Sequence, residues 1–381
     1  MNKSSVRIGV LGAGGRGTLA RHAHHPGQGS QVVAACDLDL AVLKTCHETY
    51  GDQLRTTTDW REFLHFPGLD AVMICTPDHL HEEQALAALE AGLEVYCEKP
   101  LAITIEGCDR LLAAAARLKR KLFVGHNMRY MDFTRTMKQI IDEGTIGTVK
   151  AIWCRHFISY GGDAYFRDWH ADRRNTTGLL LQKGAHDLDI IHWLAGARSV
   201  KVTAFGSLSV YNQGGRREPG TPGSAEFDRT HWPPLEQSGF NPVMDIEDQS
   251  MMLMELENGV LASYQQCHFT PDSWRNYTVI GTKGRLENLG DYSGRARIEV
   301  YTGRSDRFAE PDRIYRIPEP EASGHGGADE RIVAEFVEHV RTGCPTWTSP
   351  VDSRHAVAAG YQATVSLRSG GTPQIVPGLT S

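Results

Sequence analysis

Nowhere in the 381 residues does an apolar run approach the roughly 18 that a membrane-crossing helix needs, so no membrane partner is expected. The chain also lacks a charge excess. Forty Lys and Arg stand against 46 Asp and Glu, a net charge of −6, with both signs mixed along the chain. A nucleic-acid binder needs a basic face, and none is visible. No C-x-x-C pair occurs among the eight cysteines, so neither a zinc site nor a disulfide framework is expected. Buried free thiols in a reducing cytoplasm are. His22, His24 and His25 lie apart from every other motif and read as surface residues, not as metal ligands. The opening MNKSSVRIGVLGAG has no long apolar segment or cleavage site and runs straight into a strand, so a cytoplasmic protein is expected. No internal repeat is present.

What is there is ordinary globular composition, 40% hydrophobic and 23% charged, in a chain too long for one core. Two domains are expected, 1–126 and 127–381. In the first, VRIGVLGA, QVVAAC, DAVMICTP, LEVYCEKP and KLFVG read as strands. They alternate with helices from about Asp39 to Tyr50, His81 to Ala91 and Thr104 to Lys119, with a short one capped by Asp59. That rhythm predicts an α/β, doubly wound parallel sheet of the Rossmann type. Beyond Asn127 the rhythm changes. A helix near Phe133–Glu143, a long strand VKAIWCRHFISY and a helix from about Lys183 to Leu194 precede a region made mostly of strands. Asn258-Gly259 predicts a two-residue type I′ hairpin. Residues 212–245, rich in Gly, Pro, Arg and Glu, read as a surface insertion. Two helices, about Asp329–Thr342 and Ser353–Arg368, end the chain. The second domain is therefore α+β on a mostly antiparallel open sheet.

Gly12-Ala13-Gly14-Gly15-Arg16-Gly17 fits G-x-G-x-x-G between a strand and a helix, with Asp37 twenty residues after its last glycine. Gly12 permits the tight turn, Gly14 lets the backbone approach a pyrophosphate, and Gly17 lets helix pack on strand. The helix N-terminus faces the negative charge. Asp37 can accept hydrogen bonds from an adenosine ribose and would repel a 2′-phosphate, so NAD is favoured. Arg16 in the loop keeps NADP open.

Lys99, in Cys97-Glu98-Lys99-Pro100, ends a parallel strand, the edge where such sheets bind ligands. It reads either as a donor to a substrate hydroxyl or as a surface lysine before a turn. His186 is of the side-chain type whose reference chemistry suits taking a proton near neutrality. It reads either as that group, oriented by Asp189 or Asp187, or as a packed core histidine. Residues 165–178, YFRDWHADRRNTTG, are dense in the aromatic and charged side chains that suit a polyhydroxylated small molecule. Arg167 and Trp169 stand out there, with Arg129, Tyr130, His156 and Tyr160 as further candidates.

Taken together, GAGGRG, TPDHLH at 76–81, EKPLA at 98–102, GHNMRY at 125–130, KGAHDLD at 183–189 and GTKGRLE at 281–287 resemble the Gfo/Idh/MocA oxidoreductase family. The resemblance spans nearly the whole chain. It implies NAD-dependent hydride transfer at a ring hydroxyl of a sugar, cyclitol or glycoside. It assigns Lys99 to the reacting hydroxyl and nicotinamide ribose, and His186 to the acid/base role. Thr76, Pro77, His79, His81, Glu98 and Asn127 would line the cofactor, Asp187 would face substrate, and the Lys99–Pro100 bond would be cis. Many relatives carry an acid four residues before the histidine. Here that residue is Gln182, which takes no proton, and Lys183 follows it as an additional catalytic candidate. Two other readings stay open: a redox-assisted glycosidase or lyase that retains NAD, using Lys183 and Tyr160, and a non-catalytic dinucleotide-binding regulator. The resemblance also implies a homo-oligomer, dimer or tetramer, assembled through the second domain's sheet.

Overall fold

The computed structural model describes residues 5–223, 232, 237–291, 295–319 and 325–379. The chain forms two compact units, Met1–Tyr130 with Gly327–Arg354, and Met131–Gly326 with His355–Ser381.

The first unit begins with six strands: β1 (Val6–Leu11), β2 (Ser30–Cys36), β3 (Arg55–Thr57), β4 (Ala71–Ile74), β5 (Glu94–Cys97) and β6 (Leu122–Val124). All pair in parallel in the order β3-β2-β1-β4-β5-β6. The order reverses between β1 and β4, the switch point at which such sheets bind ligands. Strands β4, β5 and β6 are buried at every residue, as their largely apolar sequences require. Helices α1 (Leu40–Tyr50), α2 (Trp60–Phe63), α3 (His81–Glu90) and α4 (Ile105–Leu118) connect them. Asp39, Asp59 and Thr104 cap α1, α2 and α4 through side-chain bonds to the first-turn N–H groups. The glycine turn opens into a nine-residue 3-10 helix, Gly15–Ala23, where the sequence suggests an ordinary helix.

In the second unit, α5 (Asp132–Asp142) is followed by β7 (Val149–Phe157) and the short helices α6 (Arg173–Thr176) and α7 (Leu179–Gln182). Next come α8 (Gly184–Ala195), β8 (Ser199–Ser207), and the pair β9 (Gly215–Arg216) and β10 (Ser238–Phe240). Strands β11 (Gln249–Leu256), β12 (Leu261–Cys267), β13 (Trp274–Gly281), β14 (Arg285–Leu289), β15 (Arg297–Tyr301) and β16 (Arg313–Arg316) complete most of its large sheet. Its edge strand is β17 (Gln374–Ile375), and the order is β16-β15-β14-β13-β7-β12-β11-β8-β17. Among the described residues of this sheet only β7 and β12 pair in parallel, as do β9 and β10 in their separate two-stranded sheet. Alternation sets the faces: Ser250, Met252 and Met254 are buried, while Met251 and Leu253 are exposed on the opposite face.

Three expectations change. The β11–β12 connection has three residues, Glu257 to Gly259, closed by Leu256 N–H to Val260 O and Gly259 N–H to Leu256 O, both 2.9 Å. Only Gly259 takes a positive φ, +79°, which is a type I turn ending in a bulge and not type I′. Within 212–245, residues 224–231 and 233–236 lie outside the described residues. Phe240 and Met244 are not surface residues but join a core cluster with Phe166, Tyr211 and Ile246. Finally, the segment 327–354 counts with the first unit, although the sequence reading puts it in the second.

That segment carries α9 (Ala328–Thr342) and the first turn of α10 (Pro350–Arg368). Phe336 of α9 is fully buried, with its ring 5.4 Å from Tyr96 and 5.7 Å from Phe123. Lys121 donates to the carbonyls of His339 (2.6 Å) and Val340 (3.0 Å), closing the C-terminal end of α9. A hydrophobic anchor and a capped end both bind α9 to β5 and β6. Phe336→Ala is expected to cost about 3–5 kcal/mol. A denaturant-melting shift below about 1 kcal/mol would show that α9 is not part of this core.

Candidate functional site

The glycine turn is closed to side chains. A Cβ on Gly17 would sit 2.0 Å from the Gly12 carbonyl oxygen, and one on Gly12 would meet Thr76 at 2.9 Å. Gly12 also holds φ +78°. Gly15, by contrast, faces open space at φ +44°, so the turn offers bare backbone on that side. Ala13 beside it is buried. Asp37 accepts from the N–H of Gly14 (2.9 Å) and of Asp39 (3.0 Å), tying the turn to the start of α1. A cradle that excludes Cβ atoms, with a carboxylate twenty residues on, fits a dinucleotide's pyrophosphate and ribose.

Arg16 is not held ready for a 2′-phosphate. Its guanidinium bonds Glu98 at 2.9 Å and forks onto Asp329 at 2.8 and 2.9 Å. Burial opposes its charge, but Glu98 and Asp329 override this and raise its pKa. Asn127, itself buried, donates to Asp329 at 3.0 Å. Glu98 also accepts from Tyr96 (3.1 Å) and from the Lys99 N–H (3.1 Å). One carboxylate from α9 therefore joins the glycine turn, the E-K-P segment and the start of the 127–130 turn. No local motif announces Asp329, which lies 313 residues from Arg16, and the sequence reading missed it.

His81 is fully buried and does not face a cofactor. Its ring nitrogens approach the carbonyls of Pro100 (2.7 Å) and Thr76 (2.8 Å), joining the T-P and E-K-P segments. Thr76 donates to Gln84 at 2.6 Å. Thr76 and Pro77 are half-buried and His79 is exposed. The Lys99–Pro100 bond is cis, and Lys99 is half-buried. Arg129 and Tyr130 are engaged internally. Arg129 is buried on the Trp347 carbonyl (2.8 Å) and Asp352 (3.1 Å), and Tyr130 donates to Glu335. Both side chains hold the segment around 335–352, so neither is free to turn to a substrate.

In the second unit, α8 is mostly buried, and His186 is half-buried between buried Ala185 and buried Asp187. Asp187 does not serve it. Wholly buried, Asp187 accepts from Arg275 (2.9 Å), Tyr264 (3.0 Å) and Tyr277, and His156 lies 3.1 Å away. Burial would raise its pKa, but Arg275 and then His156 hold it below the usual carboxylate range. Neither Asp187 nor His156 faces a substrate, because each is spent on the other and on the sheet. Burial, then Arg275, pushes His156 down to about 3, so their contact is a hydrogen bond between a carboxylate and a neutral ring. Asp189 is buried as well.

Lys183 ends α7 almost wholly buried and donates to the Tyr160 hydroxyl at 3.2 Å. Its Nζ lies 5.5 Å from the ring centroids of both Tyr160 and Tyr165. Burial, reinforced by the Arg275 charge, lowers its pKa to about 7. Such a lysine exchanges a proton near neutrality, which the acid position, buried Gln182, cannot do. Arg167 is buried and its carbonyl accepts from Arg217 at 2.5 Å. Trp169 stacks on His170 at 3.7 Å. All eight cysteines are free. Among the described residues, no group of three His, Cys, Asp or Glu side chains could hold a metal, and no helix is long and apolar enough to cross a membrane.

Two family profiles match the chain. Residues 6–126 match the oxidoreductase family's NAD-binding Rossmann fold, and residues 138–375 match its C-terminal alpha/beta domain. The chain is 26% identical to the Bacillus subtilis protein YteT over 331 residues, 72% of this chain and 73% of that one. It is 34% identical to inositol 2-dehydrogenase of Klebsiella pneumoniae over 202 residues, a match spanning 52% of this chain and 57% of the relative. Among solved structures, levoglucosan dehydrogenase in complex with NADH superposes with a TM-score of 0.78 at 20% identity, covering 98% of this chain and 100% of that one. With matched profiles over both halves, the chain belongs to the Gfo/Idh/MocA oxidoreductase family.

Proposed function

We propose that this protein is an NAD-dependent dehydrogenase that moves hydride between the cofactor and a ring carbinol of a sugar, cyclitol or glycoside. The observation that carries the reading is the half-buried His186 near the start of a mostly buried helix, with the near-neutral Lys183 three residues before it. Residues Gly12 to Gly17 and Asp37 would hold the dinucleotide, with Thr76, Pro77, His79, Glu98 and Asn127 completing its surroundings. NAD supplies the hydride acceptor. Lys99, fixed by the Glu98–Arg16–Asp329 network, donates to the substrate hydroxyl and favours the alkoxide. His186 takes the hydroxyl proton. Lys183 and Tyr160 form a second proton-carrying pair, which favours the NAD-retaining elimination reading as the alternative. Tyr160 and Trp169 offer aromatic faces to sugar C–H groups.

A panel of sugars, cyclitols and glycosides, followed by absorbance of the reduced nicotinamide with NAD and NADP in parallel, tests this. We expect NADH formation with at least one polyol, NAD preferred, and the preference narrowed about tenfold in Asp37→Ser. Lys99→Ala should lower kcat by about 10² or more. No turnover on any compound, or an unaffected Lys99→Ala, would overturn the dehydrogenase. Aglycone release without net NADH would select the alternative.

If neutral Lys183 accepts a proton, kcat/KM for oxidation rises with pH through about 7, and Lys183→Met flattens that limb. The stability sign follows. The folded state disfavours the charged lysine, so a penalty is fully present below about pH 7 and fades as pH climbs toward the ordinary 10.5. Lys183→Met should therefore raise Tm at pH 6 and raise it less at pH 9. An unchanged pH profile together with a lower Tm in the variant would argue against the assignment.

The outward face of the second unit's sheet carries Trp153, Phe205, Met251, Leu253 and Leu261, each 53–64% exposed. Met251 pairs with Phe205 across β11–β8, while Leu253 and Trp153 both face Ser263 of β12. So large an apolar patch marks an association surface. We infer that a second copy of the chain covers it, making a homodimer or a tetramer. Light scattering should report the oligomer for the wild type and a smaller species for Leu253→Asp. A monomeric wild type removes the inference.

A further inference from the structure

His268 follows β12 and is wholly buried, yet among the described residues neither ring nitrogen has a hydrogen-bond partner. Its backbone is engaged: its N–H bonds the Asp248 carbonyl at 3.0 Å, and its carbonyl accepts from Tyr211 at 2.7 Å. The ring stands edge-on to Tyr165, with centroids 5.2 Å apart and planes at 85°. Tyr165 is also the ring beside which Lys183 Nζ sits at 5.5 Å. It lies in a single π-helical turn, Gly162–Phe166, a distortion that recurs at functional sites. The turn presses close, since a Cβ on Gly161 would fall 2.0 Å from the His268 carbonyl. Burial, with His156 and Lys183 nearby, keeps the imidazole neutral. A neutral imidazole has one donor and one acceptor. Burying both unmade is costly, and folded proteins seldom tolerate it without a ligand or water. A hydroxyl, which both gives and takes a hydrogen bond, is the ligand group that matches both needs.

We propose that His268 is a specificity-determining residue of the polyol subsite, binding one substrate hydroxyl beside the Lys183–Tyr160 pair. The proposal rests on the polyol reading of the second unit. Hydride transfer does not require it; it selects which polyol is accepted.

The experiment compares wild type, His268→Leu and His268→Gln. Without ligand, His268→Leu should melt higher than wild type, because no hydrogen bond is lost and a buried polar group is removed. On the best substrate of the panel, its KM should rise about tenfold with kcat changed less, and His268→Gln should recover part of the loss. Against deoxy analogues, wild type should reject one ring position strongly, and His268→Leu should lose that discrimination alone. A lower ligand-free Tm in His268→Leu shows that the ring has a partner in the resting fold and overturns the proposal. So does an unchanged KM and analogue profile. If no polyol is bound or oxidised by wild type, the polyol reading falls and this proposal with it. If polyols are oxidised but the variants match wild type, this proposal alone falls.

Discussion

The second unit is organised around one buried carboxylate. Asp187 has no solvent contact, and its charge is tolerable only because Arg275, two tyrosines and a neutral histidine surround it. Those partners come from β7, β12 and β13, so the carboxylate fastens α8 to three adjacent strands. Burying such a pair is not by itself a gain over apolar packing, but removing one partner leaves an uncompensated charge and costs several kcal/mol. The network thus fixes where α8 lies more than it adds net stability. The placement of His186 and Lys183 follows, since both flank that fixed point. The same Arg275 charge that neutralises Asp187 also helps to discharge Lys183. Structure and proton chemistry share one source here.

The first unit repeats the device with Asp329. Arg16 and Asn127 converge on it, and Arg16 carries Glu98 along. His81 adds a second tie between the strand ends that carry Thr76 and Pro100. Backbone segments that must present N–H groups and a lysine in fixed directions are thereby braced by side chains that never need to touch a ligand. Rigid support of this kind is what lets a site act without reorganising.

Local chemistry was readable along the chain. Five of the six parallel strands announce themselves by apolar runs, α2 by its cap, and the glycine turn by spacing with Asp37; β3, a short Arg-Thr-Thr with no apolar residue, does not. Gly17 does what its position in the motif demands. Long-range commitments were not readable. Asp187, Arg129 and His81 carry the polarity of ligand-binding groups and stand in the right motifs. Only the fold reveals that Arg275, Asp352 and two carbonyls claim them first. Arg16 sits in the loop as expected but spends its charge on Asp329, far along the chain. Asn258-Gly259 promised a two-residue turn and made a three-residue one, because a single positive φ sufficed. His268 stood in no motif, and its interest lies in bonds that it does not make.

The allocation of 327–354 to the first unit has a consequence for biosynthesis. The chain lays down all six strands of the parallel sheet early, but Phe336 and Asp329 arrive some two hundred residues later. During vectorial synthesis the nascent Rossmann sheet must wait, with the apolar surface around Tyr96 and Phe123 uncovered, while the whole intervening sequence is made. Domains that close on themselves can finish folding as they leave the ribosome; this one cannot. Its dinucleotide turn acquires its last brace only once Asp329, 313 residues after Arg16, has been made.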